Sequence, residues 1–405
     1  MTQYSPNLAR ILSLFCVIGL TAGIASADQQ VRLTAKVPAT TPETADIFLA
    51  GSLPSVGGWK ADGLKLTRQP DGTYTTDLNI PVGQTLEFKF TRGNWSKVEK
   101  YADGSDRPNR QLTIKADTKQ FDAKVDRWGD DAPTQQLPGT VVGNLKLHTL
   151  DSQHLKQSRA IRVWLPPGYN AASTTRYPVL YMHDGQNCFN RATAAFGNEW
   201  KIDETLTKLI SEKRIPPIIV VAIDNGGANR INELTYDADA TRGGGQCATY
   251  ADFLLREVKP FVDKTYRTRP EAAHTFLGGS SLGGLAALDI PRRHPGIFAG
   301  VIAMSPTLGW ADQAMLKQIE ANPGGLGGTS VWVDMGTQEA GPPASKPGVE
   351  TQNQKYISLV QNLDQALTRH HVVHRLVLDE DHPGHNEPAW ASRFPQAIEY
   401  ILKAK

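Results

Sequence analysis

The chain has almost no excess of charge: 43 lysines and arginines stand against 41 acidic residues, a net +2. No basic field is present to draw a nucleic acid, so no nucleic-acid partner is expected. Long apolar runs are missing too. The run from Ile11 to Ile24 is shorter than the roughly 20 residues a membrane helix needs, and no later segment is long and apolar enough to span. Internal repeats and low-complexity tracts are absent. So are a phosphate loop and a dinucleotide fingerprint. Gly243-Gly244-Gly245 lies in a polar loop before a helix, without the preceding strand that a phosphate cradle needs.

Cysteine is scarce, with three in all. Arg10, the apolar run and Ala25-Ser26-Ala27 have the layout of a removable export leader with a small-residue cleavage site. Cleavage is expected after Ala27, which puts the mature protein in the periplasm or outside the cell. Cys16 would leave with that leader, so only Cys188 and Cys247 remain. Both fall in loops expected near the active-site face. An oxidising compartment permits a bridge between them, and two unpaired buried thiols are the alternative.

Two regions differ in texture. From residue 28 to about 125 the chain shows short alternating runs such as Val31-Leu33-Ala35-Val37, Tyr74-Thr76-Leu78 and Leu86-Phe88-Phe90. Turn signals at Gly57-Gly58 and Asp71-Gly72 separate them, which predicts a small antiparallel β-sandwich. Residues 126–140 are polar, carry Pro133, Pro138 and Gly139, and read as a linker. From 141 to 405 apolar strands alternate with amphipathic helical stretches. That pattern predicts an α/β domain, a mostly parallel sheet with helices on both faces. Such sheets take ligands at the carboxyl ends of their strands.

Gly279-Ser280-Ser281-Leu282-Gly283 falls at one such end, between a buried strand and a helix. A serine between close glycines at a strand-to-helix turn is a nucleophile elbow, with Ser281 as the nucleophile. A serine hydroxyl needs a base, and in these folds the acid and then the histidine follow it in the chain. His294, His370 and His371 lie at helix ends and His374 at a strand, leaving His382 and His385 in a loop after the last strand. Gly384 frees the backbone before His385 and a helix begins just after it, which favours His385; His382 reads as a solvated loop residue. For the orienting acid, Glu339 lies in the loop beyond Gly336-Thr337 and reaches more easily than Asp334 at the strand end, which is kept in reserve. The oxyanion donors are expected to be the amides of Leu282 and Gln186, with Gly185 turning the second one inward. His183 and Asp184 form a lone adjacent pair without further ligands, so a metal is not expected there and a role in holding the loop is.

These residues resemble a known family. Val163-Trp164-Leu165-Pro166-Pro167-Gly168-Tyr169, Tyr177 to Asn187, Gly279 to Gly284 and His385-Asn386-Glu387 are similar to the esterase branch of the α/β-hydrolases. That branch includes enterochelin, feruloyl and acetyl-xylan esterases, S-formylglutathione hydrolases and mycolyltransferases. The resemblance implies Ser281 as nucleophile, His385 as base and an acid near Gly336 to Glu339, without a cofactor or metal. The first region resembles a starch-binding-type carbohydrate module through Gly51 to Pro54, Gly58-Trp59, Phe88-Lys89-Phe90 and Pro108-Asn109-Arg110. There the resemblance implies sugar contacts at Trp59, Lys89 and Asn109. Lys100-Tyr101 stands where a second aromatic platform would be, with Trp95 nearby. The expected function is an exported serine esterase acting on acyl or feruloyl esters of glycans. The alternatives are a siderophore or other small-ester hydrolase or acyltransferase, and a glycan-binding protein whose hydrolase domain is inactive.

Overall fold

The computed structural model of the protein describes residues 28–102, 104, 107–131, 139–342 and 348–403. The expected leader, and residues 132–138 of the expected linker, lie outside them. The first region is a sandwich of two four-stranded sheets. In strand Asp28–Lys36, Val31, Leu33 and Ala35 point inward while Arg32 is exposed, the period-two pattern of a half-buried strand. Strand Thr85–Thr91 does the same with Leu86, Phe88 and Phe90. Two points differ from the sequence reading. Strand Asp28–Lys36 pairs in parallel with Gln120–Lys124, so the sandwich is not wholly antiparallel. The sandwich also extends past 125: Arg127–Trp128 pairs with Glu99–Lys100, and Trp128 is fully buried in its core. Polar composition around Trp128 hid a core residue inside the stretch expected to be a linker.

The second region is built on an eight-stranded sheet. Its spatial order is 144–151, 158–165, 219–223, 179–182, 275–280, 300–304, 330–336 and 374–379. Strand Ser158–Leu165 runs antiparallel to both its neighbours, and the other pairings are parallel. The chain builds outward one way from Val179–Met182 to Ile219–Ile223, then returns to lay Thr275–Ser280 on the other side. Between Val179–Met182 and Thr275–Ser280 the connections diverge, which opens a crevice at the carboxyl ends of the strands. Helices Ile202–Ser211, Leu282–Arg293, Val349–Arg369 and Glu387–Lys403 are among those that cover the sheet. Two apolar clusters lie on its opposite faces, one containing Leu277 and Val301, the other Phe276 and Ile302. Cys247 belongs to the first and Cys188 to the second, both as free buried thiols. No bridge joins them, because the sheet itself stands between the two clusters.

Some buried acids resist ionisation. Asp203, in the first turn of helix Ile202–Ser211, is pushed up to about 8, first by burial and then by Glu204 beside it. An acid whose pKa is higher in the fold than in the unfolded chain binds its proton more tightly when folded. Between those two values the fold therefore loses stability as pH rises. For Asp203 the window runs from 3.8 to about 8. Carboxylates held low, such as Asp184 and Asp239, act below it. The buried imidazole of His183, lowered to about 4, acts the opposite way below 6.5, so the expected result is a difference between proteins: as pH rises from 4 to 8 Asp203→Asn gains melting temperature relative to the wild type, as paired melting curves would register. The asparagine keeps an oxygen for the Val142 N–H, which Asp203 accepts at 2.6 Å.

Candidate active site

The elbow is formed as its sequence requires. Strand Thr275–Ser280 ends one residue before Ser281, and helix Leu282–Arg293 begins one after it. Ser281 has φ 56° and ψ −121°, a region that costs an L-residue on the order of 1–3 kcal/mol. Its backbone is clamped there. Its N–H donates to Met304 O at 3.0 Å, and its carbonyl accepts from Leu285 at 3.0 Å and Thr307 at 3.1 Å. A side chain at Gly279 would lie 2.7 Å from the backbone of Gly283, so the turn closes only with glycine at 279. Ser280 is buried and Ser281 is partly open.

Ser281 Oγ lies 3.0 Å from His385 Nε2 and 3.3 Å from Thr307 Oγ1. On the other side of the ring, His385 Nδ1 pairs with Glu339 Oε2. The structure thus brings Ser281, His385 and Glu339 into one line of contacts. The acid loop is sewn to the histidine loop by the N–H of Thr337 on Asp379 O at 3.1 Å and of Gln338 on Pro383 O at 3.0 Å. Glu339 Oε1 accepts from the Gly336 N–H at 2.6 Å and from the Ser305 hydroxyl at 2.7 Å. Charge-assisted hydrogen bonds of this kind hold a carboxylate in one orientation.

Asp334, the reserve acid, does not reach the histidine. Its Oδ2 accepts from Trp332 Nε1 at 2.7 Å, and its Oδ1 stands 3.2 Å from Arg393 Nη1. Burial raises it to about 6 despite the guanidinium beside it. Arg393 is itself buried, donates to Ser305 Oγ at 3.1 Å and sits 3.7 Å from Glu339 Oε1. Trp390 Nε1 donates to the same Ser305 oxygen at 2.9 Å, and its ring lies edge-on to His385, centroids 5.0 Å apart. Ser305, Trp390 and Arg393 were not singled out in the sequence. Nor was Asn353, which is buried and clasps the end of the acid loop: it accepts from the Ala340 N–H at 2.8 Å and donates to Gly341 O at 2.9 Å.

The two expected oxyanion donors lie on adjoining segments. Leu282 opens its helix, where amides have no intrahelical acceptor and the dipole end is positive. The loop carrying Gln186 packs on that first turn: a side chain at Gly283 would meet Asp184 Oδ2 and His183 Cβ, each at 3.2 Å. Gly185 has a packing reason beside the turn expected of it. Its φ is not positive, but a Cβ there would come within 2.6–2.8 Å of the Ala222–Ile223 backbone. Asp184 takes two hydrogen bonds from Arg230, both at 2.7 Å, and one from Asn225 at 2.6 Å. Those charge-assisted bonds outweigh burial and keep its carboxyl below the usual range. His183, lowered to about 4 by burial, has Nδ1 2.8 Å from the Tyr250 hydroxyl. The pair is occupied in pinning the loop.

A cavity of about 370 Å³ opens at Ser281, with His385, Thr307, Arg242, Lys355 and Tyr356 among its lining. Arg242 is already held by Asp239 at 2.8 Å and lies 4.3 Å over the Trp310 ring. In the sandwich, Lys89 and Asn109 stand side by side, since the register pairs Phe88 with Arg110. The Lys89 ammonium donates to Arg107 O, and Asn109 Nδ2 to Glu87 Oε2 at 3.3 Å. Trp59 is half-buried on a turn with φ 65°, and its N–H donates to Gly51 O at 2.8 Å. It is not part of the sandwich core. Trp95 and Tyr101 are exposed, the latter with Arg107 stacked 4.3 Å over its ring.

A mostly parallel sheet with a serine elbow at its switch point defines the α/β-hydrolase class. Within it, the family model "Putative esterase" matches residues 152–401, and the chain belongs to that family. A second model, "Starch binding domain", matches residues 30–124. An alpha-amylase of Niallia circulans is 38% identical over 113 residues, 27% of this chain and 8% of that one. An endo-1,4-beta-xylanase/feruloyl esterase of Xylanibacter ruminicola is 25% identical over 159 residues, 38% of this chain and 20% of that one. The chain thus spans a fifth or less of these two relatives. The solved enterobactin esterase of Shigella flexneri aligns over 93% of both chains with a TM-score of 0.51 and 16% identity, a likeness of fold across both regions.

Proposed function

We propose that the protein is a serine carboxylester hydrolase, exported to the periplasm or beyond, acting on acyl or feruloyl esters of glycans. The observation that supports it most is the contact line Glu339–His385–Ser281, with Ser281 Oγ 3.0 Å from His385 Nε2. In this reading His385 takes the Ser281 proton as Oγ attacks the ester carbonyl, and Glu339 steadies the imidazolium that forms. The Leu282 and Gln186 amides hold the oxyanion; losing one such donor costs about 3–4 kcal/mol. The tetrahedral intermediate collapses as His385 gives its proton to the leaving alcohol. Water, deprotonated by His385, then attacks the acyl-enzyme and restores the serine. The leader-like segment through Ala27 supports export. The starch-binding match and the feruloyl esterase relative support a glycan ester. Turnover of p-nitrophenyl acetate and methyl ferulate by purified protein is the first test; failure on every ester offered would leave the glycan-binding, inactive-hydrolase alternative.

A second reading keeps the chemistry and changes the substrate to a siderophore or other small ester, with acyl transfer to an acceptor as its variant. Arg242 and Lys355 in the cavity wall suit an anionic acyl group, and the solved relative is an enterobactin esterase. Parallel assays on siderophore esters, acetylated xylan and feruloylated oligosaccharides separate the two.

Sugar binding by the sandwich has its own test. The half-exposed Trp59 has a face for a sugar ring, with Lys89 and Asn109 for its hydroxyls. Trp59→Ala is expected to abolish retardation in polysaccharide-containing gels with an unaltered melting curve. A loss of about 3–5 kcal/mol of stability instead would make Trp59 a packing residue. Wild-type protein that runs unretarded in every glycan would make the module a spacer.

A further inference from the structure

A second hollow lies beside the catalytic cavity, on the side of the sandwich. Helix Val349–Arg369 turns Gln352 and Tyr356 toward the cavity, and the same two residues line the hollow, of about 500 Å³. The far wall of that hollow is the sandwich: Thr85, Glu87, Gln111 and Thr113. These four are the outward side chains of one strand pair, in register as Thr85 opposite Thr113 and Glu87 opposite Gln111. The threonine hydroxyls are 2.8 Å apart, and Gln111 donates to Glu87. One rung further along, Asn109 donates to the other Glu87 oxygen beside Lys89. A single polar ladder therefore runs from the cleft to the residues expected to hold sugar.

We infer that this cleft is the subsite for the sugar chain of a neutral acylated glycan. The inference rests on the esterase reading and deepens it. The acyl group enters the cavity at Ser281, and the sugar to which it is attached lies over Gln352 and Tyr356. The chain then follows the ladder toward Lys89, Asn109 and Trp59. The chemistry of the walls chooses this occupant. Hydroxyls, two side-chain amides and a carboxylate acceptor match sugar hydroxyls, and the Tyr356 ring offers an apolar face. Among the described lining residues of the cleft Glu87 alone is charged, and its two oxygens accept from Gln111 and Asn109, so this wall selects by hydrogen bonding rather than by opposite charge.

The test uses the whole protein and ferulate or acetate esters of xylo- and gluco-oligosaccharides of one, two, four and six sugars. Methyl ferulate and p-nitrophenyl acetate serve as probes without sugar. In the wild type kcat/KM is expected to rise at least tenfold from one sugar to four in one of the sugar series, which also identifies the glycan. In Gln111→Ala and in Gln111→Arg, which fills the cleft, most of that gain is expected to vanish, so the ratio of glycan-ester to methyl-ferulate kcat/KM drops. The same ester on an oligogalacturonide is expected to show no gain with length. A kcat/KM independent of length in both series, with the simple esters hydrolysed, overturns the cleft while leaving the esterase reading standing. A length gain that survives both variants overturns it as well. If no ester is cleaved, the esterase reading falls and the subsite with it.

Discussion

Ser281→Ala is expected to lower ester turnover on the order of 10⁴- to 10⁶-fold, as removal of a triad nucleophile does, with the melting curve preserved. The fold has reason to survive the change. The hydrogen-bond partners of Ser281 Oγ among the described residues are His385 and Thr307, whereas its backbone bonds to Met304, Leu285 and Thr307 do not involve the side chain. Alanine even relieves no strain, because φ 56° and ψ −121° are as costly for one L-residue as for another. Ser280→Ala is the control: its hydroxyl is buried away from the cleft, and its loss is expected to cost far less activity. If Ser280 proved the essential serine, the elbow would be out of register by one residue.

The second large effect is expected at the acid. Glu339→Gln is expected to cut kcat about 10³- to 10⁴-fold, because an amide cannot balance an imidazolium and favours the wrong ring tautomer. Asp334→Asn is expected to cost tenfold or less, since Asp334 meets Trp332 and Arg393 but not His385. Steady-state kinetics on a p-nitrophenyl ester, with melting curves alongside, distinguish the two. The reverse order would move the acid to Asp334. Equal and mild losses would mean that Ser281 and His385 work as a pair.

Why the sequence left those two carboxylates unresolved is visible in strand Ser330–Gly336. Every residue of it is buried, so no alternation of apolar and polar positions indicates which way Asp334 points. The surroundings of the acid were less legible still. Ser305, Trp390 and Arg393 meet across more than 80 residues of chain, and nothing in their local sequence marks them. The elbow, by contrast, is written within five consecutive residues, and the histidine loop lies between a strand and a helix that each have a strong apolar pattern. Strand Asn144–Asp151 carries little apolar signal because it buries little: its Leu147 is 64% exposed. The parallel pairing of Asp28–Lys36 with Gln120–Lys124 joins chain segments some 90 residues apart, and a period-two pattern names a face but never a partner.

The separation of the two thiols has a practical side. Cys188 and Cys247 are each fully buried, and burial raises both well above the ordinary thiol range, so neither offers the thiolate through which cysteine reacts. The described fold therefore needs no oxidant to mature and has no cross-link to scramble. Material made in a reducing cytosol should be interchangeable with material made outside it, and dithiothreitol in a storage buffer should be harmless. Alkylating agents should spare Cys188 and Cys247 in the native protein and mark both only after denaturation, a simple gauge of how much of a preparation is folded.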